Sequence, residues 1–415
     1  MKKVELLLPA GNIEKLDYAI NYGADAVYLG MTDFSLRSMR KGEIITRDNL
    51  KKAVDLARSY NKKAFLTLNI YAFNEDIKNL YEYIDVIADA NPHAIIVSDF
   101  GIVNIIKKEL PNIDFHISTQ ANTLNYEAVK FWRDFGAKRV ILPRELSIPQ
   151  IKEIHDNVPD IELEVFVHGS QCVAFSGRCL LSDYMTRGER KANQGGCAQP
   201  CRWSYKLLEE TRPGEYFEIT QDDRGAHILS PKDLALIEYI PQLIEAGVDS
   251  FKVEGRTKSL YYVSAVAKAY RTAIDRYHNG KTDNKDLFQE LLKIGNRGYT
   301  TGFFIGKPDG DGYSYDISKG LAGADFLCEF KDKQDNLYRV KIKNKININD
   351  RIEIITPDEQ FETEVIKIYN DAKEELELGN TNDEVFIELS QNPQNYKYAI
   401  GRTTGIRNYR DDTQT

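Results

Sequence analysis

Four of the chain's five cysteines sit on one short segment: Cys172, Cys179, Cys197 and Cys201, spaced C-x6-C-x17-C-x3-C. Thiolates are soft ligands, so four on one segment suit Zn²⁺ or an iron–sulfur cluster. A structural zinc ribbon pairs its cysteines as two short C-x2–4-C knuckles. Only Cys197 and Cys201 meet that rule, and the spacing is not that of common ferredoxins either. The pattern selects a metal and leaves its identity open. Gly169, Gly177, Gly195 and Gly196 would let backbone approach a bulky cluster, and Arg178 and Arg202 could offset its negative charge. Cys328 stands alone in an apolar run and reads as a small buried hydrophobe.

These thiols need a scaffold. The first three-quarters of the chain alternate short runs rich in Val, Ile and Leu with longer amphipathic stretches. Strands are expected at Val4–Pro9, Ala26–Gly30, Ala64–Ile70, Ala94–Ser98, Asp114–Thr119, Arg139–Pro143, Glu162–Val167 and Ser250–Glu254. Helical patterns follow each, including Glu75–Ala90, Leu260–Tyr277 and Pro231–Ala246, where "SPKDL" reads as Ser230 at the N-cap and Pro231 at the first helical position. Eight strand–helix repeats spell a TIM-like (β/α)8 barrel over residues 1–308. No G-x-G-x-x-G follows the first strand, which weighs against a dinucleotide-binding open sheet.

The cysteines lie in an insertion after strand seven, about 169–228, far longer than the usual ~2–6 residues of a βα loop. Inside it, "SYKLLEE" and "GEYFEIT" flank "TRPG" as a small hairpin. In a (β/α)8 barrel the βα loops build the mouth where chemistry is done, so the thiols belong at the functional end. After residue 310 the pattern changes to short alternating strands, such as "ADFLCEFKD", "LYRVKIKN" and "EVFIELS". They predict a small antiparallel β-barrel over 322–405, with 406–415 a polar tail.

Composition narrows the function classes. Hydrophobic residues make up 42 % and charged residues 28 % of 415 residues, and the formal net charge is −8. That argues against a broadly basic nucleic-acid coat but allows a local basic patch. "MKKVELLLPAG" reads as a first strand because Glu5 breaks its apolar run, and no segment approaches the ~20 apolar residues of a membrane span. The chain is expected in the cytoplasm, without membrane contact. In a reducing compartment, clustered cysteines mean metal or catalysis before disulfides.

The segment "EVFVHGSQCVAFSGRCLLS" resembles the signature of the collagenase-like peptidases of unassigned catalytic type, family thirty-two: E-x-F-x2-G-[SA]-apolar-C-x4-G-x-C-x-apolar-S. Glu164, Phe166, Gly169, Ser170, Cys172, Gly177, Cys179, Leu181 and Ser182 fit, and Gln171 departs. "ANQGGCAQPCRW", "ELLLPAG", "ADAVYLG", "STQANTLN", "LPRELS" and "DSFKVEGRTKS" are also similar to the family, so the resemblance covers essentially the whole chain. It implies one of two activities. Some members are named as peptidases. Others are oxygen-independent hydroxylases that hold a 4Fe–4S cluster, and some of these make 5-hydroxyuridine at the tRNA wobble position with prephenate as oxygen donor. Cys172, Cys179, Cys197 and Cys201 match cluster-bearing positions of such members. Some relatives work as pairs, so a paralogous protein is a further expected partner.

Direct search for protease machinery finds no H-E-x-x-H and no G-x-S-x-G. His168, four residues before Cys172, could activate that thiol, but a cluster would consume it. Prephenate is a dianion, and cations at strand ends could bind it: Arg144 after strand six, and Lys252 and Arg256, with Glu254 between them, around strand eight. His116, near Ser118, Thr119 and Gln120, and His168 are candidate general acids or bases. For RNA, Arg187, Arg190 and Lys191 form one basic patch. Lys397, Arg402, Arg407 and Arg410, interleaved with Tyr396, Tyr398 and Tyr409, form another.

Overall fold

The computed structural model describes residues 3–31, 34–35, 45–172, 174, 179–203, 221–222, 225–226, 231–306, 322–405 and 407–408. Eight parallel strands form its centre: β1 (Glu5–Ala10), β2 (Ala26–Gly30), β3 (Lys63–Leu68), β4 (Ala94–Val97), β5 (Asp114–Ile117), β6 (Arg139–Ile141), β7 (Glu162–Ser170) and β8 (Ser250–Val253). Each pairs with the next, and β8 pairs back onto β1 through Glu5–Ser250 and Leu7–Lys252. The sheet is therefore closed. Both faces of such strands are covered, which is why β1, β2 and β4 are near-continuous apolar runs rather than alternating ones.

Helices α1 (Ile13–Asn21), α2 (Leu50–Ser59), α3 (Asn74–Tyr81), α4 (Ile84–Ala90), α5 (Phe100–Glu109), α6 (Tyr126–Asp134) and α7 (Ile148–Asn157) pack outside the barrel. So do α9 (Ile240–Glu245), α10 (Leu260–His278) and α11 (Lys285–Leu292), while α8 (Leu181–Met185) lies in the cysteine loop. Their starts follow side-chain chemistry. Asn12 Oδ1 accepts the Lys15 amide at 2.8 Å, Asp99 accepts Gly101 and Ile102, and Ser259 accepts Tyr262. The single helix expected over Glu75–Ala90 is two, α3 and α4.

One expected helix begins in the wrong place. Pro231 is extended, and Asp233–Ala235 is a strand antiparallel to the end of β7. Asp233 is held by an ion pair to Arg297, and its amide donates to the Gly298 carbonyl at 2.9 Å. These long-range partners override the helix-start signal, and the helix begins only at Ile240 after a 3-10 turn over Ile237–Tyr239. Ser230 and the expected 204–220 hairpin lie outside the described residues.

The C-terminal part is a closed six-stranded antiparallel barrel: β9 (Phe326–Gln334), β10 (Leu337–Ile342), β11 (Arg351–Ile355), β12 (Gln360–Tyr369), β13 (Glu384–Leu389) and β14 (Ile400–Thr403), with β11 pairing both β14 and β12. Its own core holds Cys328, Tyr338, Ile352 and Ile387. Burial pushes the Cys328 thiol up to about 12, as befits an inert buried thiol. Strand β14 was not among the strands expected from the sequence. Its "KYAIGRTTGIRNYR" reads as an exposed basic patch, yet Arg402 is fully buried. The Arg402 guanidinium meets Glu353 at 2.8 Å, Glu290 at 2.6 Å and the Tyr261 hydroxyl at 3.1 Å, stapling the small barrel to α10 and α11. Tyr398 shares Asp17 with Tyr60, and Tyr396 packs on the small core. Within the second basic patch, Arg402, Tyr396 and Tyr398 are thus corrected to packing and docking, while Lys397 is exposed. Arg410 and Tyr409 lie outside the described residues.

Candidate functional site at the barrel mouth

The floor of the site is a buried charge network inside the barrel. Glu5 on β1, Arg139 on β6, Glu164 on β7, and Ser250 and Lys252 on β8 are all inward-facing polar residues in strands otherwise built of hydrophobes. Arg139 reaches Glu5 at 2.6 Å, Glu164 at 2.8 Å and Glu162 at 2.7 Å. Lys252 takes the other oxygen of Glu164 at 2.8 Å. Burial pushes the Glu5 carboxyl up, but Arg139 and Lys63 outweigh it and hold it below its ordinary value. Burial pushes the Lys252 ammonium down, and Glu164 opposes this only in part. Breaking such a pair leaves an uncompensated buried charge, so the network locks together strands far apart in sequence.

Above this floor opens a cavity of about 120 Å³ at the C-terminal ends of the strands. Arg144, Lys252, Glu254 and Arg256, the four charged mouth residues selected from the sequence, all line it, and so does Cys172. The Arg144 guanidinium lies 4.1 Å from the Phe166 ring centroid and donates to the Ser170 carbonyl. Glu254 Oε2 accepts the Ser170 amide at 3.1 Å. Arg256 donates to Ser35 Oγ at 2.6 Å and Thr67 Oγ1 at 3.2 Å. Lys252 Nζ stands 4.8 Å from the Tyr28 ring centroid.

Two glycines make this geometry possible. A Cβ on Gly30 would fall 1.4 Å from an Arg256 guanidinium nitrogen. Gly169 has φ +113°, and its Cβ would fall 2.7 Å from the Glu254 carbonyl oxygen. Gly169 therefore clears the end of β8 rather than a cluster.

Sequence reasoning missed Tyr28, Thr67, Asn69 and Phe166 as wall residues. A signal was present: in "FLTLNI", Thr67 and Asn69 are polar residues two apart, on one face of an otherwise apolar strand. Ser118, Thr119 and Gln120 also line the cavity.

The two histidines do not join them. His116 is buried edge-on to Phe65 at 4.8 Å, and burial, reinforced by Arg139 and Lys252, lowers its pKa well below the ordinary value. His168 is enclosed by Tyr262, Tyr270 and Tyr299, with Nδ1 3.4 Å from the Tyr270 hydroxyl. Burial pulls its pKa down to about 3. Both are neutral core histidines outside the cavity lining, so neither is placed for general acid–base work there, and His168 is not placed to activate Cys172.

All five cysteines are described and none forms a disulfide. Cys172 is exposed beside the cavity, and Cys179, Cys197 and Cys201 are half-buried. Arg190 braces their loop, donating to the carbonyls of Gly196 at 3.2 Å and Cys197 at 3.1 Å, which gives one member of the first basic patch a structural task. The Gln199 amide points at Cys197 Sγ at 3.3 Å, the kind of N–H donor that stabilises a thiolate. As donors, four soft thiols on one loop suit a thiolate-bound metal centre. Among the described residues, no three His, Cys, Asp or Glu side chains are already gathered into a metal cage.

A closed (β/α)8 barrel, a cysteine-bearing mouth loop and a docked six-stranded β-barrel define a two-domain barrel protein with its site on the βα loops. The chain belongs to peptidase family U32: the family model matches residues 11–313, and the model of the family's C-terminal domain matches 323–400. It is 36 % identical to tRNA hydroxylation protein P of Haemophilus influenzae, over 96 % of this chain and 95 % of that one. It is 34 % identical to a collagenase of Porphyromonas gingivalis, over 74 % and 75 %. It is 32 % identical to the 23S rRNA 5-hydroxycytidine C2501 synthase of Escherichia coli, over 84 % of this chain and 52 % of that one. Among the described residues, no helix is long and apolar enough to cross a membrane.

Proposed function

We propose that this chain is an oxygen-independent RNA hydroxylase that forms 5-hydroxyuridine at the tRNA wobble position, with prephenate as oxygen donor. The observation that carries it is the convergence of Cys172 with Arg144, Lys252 and Arg256 on one cavity. Two guanidiniums and an ammonium around a small cavity suit a dicarboxylate, which each guanidinium can grip through paired N–H groups. Thr67, Asn69, Ser118 and Gln120 add neutral donors and acceptors of the kind that read a base edge, between the rings of Tyr28 and Phe166. The names of two relatives, a tRNA hydroxylation protein and an rRNA hydroxycytidine synthase, supply RNA as the substrate class. Cys172, Cys179, Cys197 and Cys201 would hold a 4Fe–4S cluster, which supplies electron transfer beside the cavity when bound. In this reading Arg144 and Arg256 orient the donor's carboxylates, and the Glu164–Lys252 pair keeps a cation fixed at the floor.

The test is anaerobic purification with iron, sulfide and zinc analysis, followed by nucleoside analysis of tRNA from cells carrying the wild type or Cys179→Ala. About four irons and four sulfides per chain, with 5-hydroxyuridine, both lost in the variant, are expected. One zinc per chain would make the loop structural. Gelatin cleavage by metal-free protein, with tRNA unmodified, would return the peptidase reading.

A further inference from the structure

Large hydrophobic side chains are not left exposed evenly over this molecule. Phe73 is 62 % exposed, Phe100 59 % and Tyr184 80 %, and Leu180, Trp203 and Ile305 are exposed as well. These six of the nine exposed large hydrophobics among the described residues lie on segments at the mouth end of the barrel; the others are Tyr81 on α3, Phe131 on α6 and Ile366 on the small barrel. Phe73 and Phe100 sit at the starts of α3 and α5, directly after β3 and β4. Leu180, Tyr184 and Trp203 belong to the cysteine loop. Ile305 follows Phe304, whose carbonyl accepts the Ile148 amide at the start of α7.

Two of these placements run against local preference. Phe73 occupies the N-cap of α3, where Ser, Thr, Asp or Asn would satisfy orphan amides. Tyr184 stands on a helix of only five residues with almost none of its ring covered. A residue that breaks local rules without gaining burial points to a function.

The rings are accompanied by cations. Lys191 from the cysteine loop lies 5.8 Å from the Phe73 ring centroid, and Gln194 reaches Asp76 on α3 at 3.5 Å, so the loop leans over the start of α3. Phe100 stacks on Trp132 of α6 at 4.8 Å and meets Phe131 at 6.3 Å. In 179–203 there are four Arg or Lys residues, Arg187, Arg190, Lys191 and Arg202, against Asp183 and Glu189, in a chain whose net charge is −8. Exposed rings beside a local positive excess match unpaired nucleotides, whose bases stack on aromatic faces while cations meet the phosphates. A duplex, with its bases already stacked, would gain nothing from the rings.

We infer that the mouth rim is a stacking platform for unpaired RNA, with Phe73 under Lys191 and Tyr184 beside Arg187 holding the nucleotides that flank the one in the cavity. This rests on the RNA reading above and names how the substrate is gripped: by loop nucleotides, not by a helical stem.

The probe is a fluorescently labelled unstructured heptaribonucleotide containing one uridine, with the same sequence in a duplex as comparison. The anaerobically purified full chain should bind the single strand more tightly than the duplex. Phe73→Ala and Tyr184→Ala should each weaken single-strand binding about tenfold, within the range for loss of one base–aromatic stack. Phe73→Trp should retain it, and Lys191→Ala should weaken it less at high salt than at low salt. Unchanged melting temperatures show that the variants fold. Tight single-strand binding that neither alanine variant alters, or equal affinity for the duplex, would overturn the platform while leaving the RNA reading intact. No RNA binding by the wild type, with no modified nucleoside in tRNA, would overturn both.

Discussion

Arginines at two places in this molecule look alike in sequence and behave differently in the fold. Arg402, in a string of basic and aromatic residues, is fully buried against Glu290, Glu353 and Tyr261, and joins the two domains. Arg144 and Arg256, each beside an acidic residue or a glycine near a strand end, are half-buried and line an open cavity. The difference is placement. At the domain junction, carboxylates meet the guanidinium from both sides. At the mouth, Arg144 donates to the Ser170 carbonyl and Arg256 to the Ser35 and Thr67 hydroxyls. The first arrangement holds structure, and the second places two guanidiniums on the cavity wall.

The comparison is broken most directly by removing the buried cations. Arg139→Met or Arg402→Met should each cost about 3–5 kcal/mol of stability, because Glu164, left with Lys252 alone, or Glu353, left with the more distant Lys293, stays buried short of a cation. Urea denaturation reads this, and a loss under 1 kcal/mol would contradict the account. At the mouth the split should reverse. Arg144→Lys and Arg256→Lys should leave the urea midpoint nearly unchanged but lower kcat/KM for the donor by about tenfold to hundredfold, as expected when a charge-assisted hydrogen bond worth ~1.5–3 kcal/mol is lost. Gly30→Ala sharpens this. Its Cβ would displace the Arg256 guanidinium, the far end of a flexible side chain, so activity should fall with little loss of stability. Combined with Arg256→Lys it should add little, since both act on one group.

The last effect concerns pH and is absent near neutrality. His168 has its pKa lowered to about 3 from an ordinary 6.5, so the unfolded chain binds the extra proton first on acidification. Its contribution to stability is complete above about pH 6.5 and is lost as pH falls toward 3, at about 1.4 kcal/mol per pH unit. His168→Gln should flatten the acid limb of a plot of unfolding free energy against pH by that slope. An unchanged limb would place the histidine outside the buried tyrosine cage.

How much of this was legible depended on range. The eight barrel strands fell within three residues of expectation at either end, because apolar runs bounded by turns encode them locally. The charged residues at the ends of strands six and eight were readable as mouth residues once the barrel was recognised, since βα loops always face one end. The histidines were not. His116 and His168 sit in strands whose neighbours looked functional, and only the packing of Phe65, or of three tyrosines, shows them to be core. The helix start at Pro231 failed because Arg297, 64 residues away, draws Asp233 into a strand. Arg402 finds Glu290 across 112 residues, and Tyr22 finds the Ile355 carbonyl across 333.

By itself, then, the sequence determined the repeating βα scaffold, the confinement of four thiols to one mouth loop and the separate alternating strands of the small barrel. Each of these is written in spacing and periodicity, which are local. The tertiary structure alone decided which buried cations are neutralised, which line the cavity and which rings stay uncovered. Those outcomes depend on partners that only chain folding brings together, and a charge or a ring takes its role from what stands within a few ångströms of it.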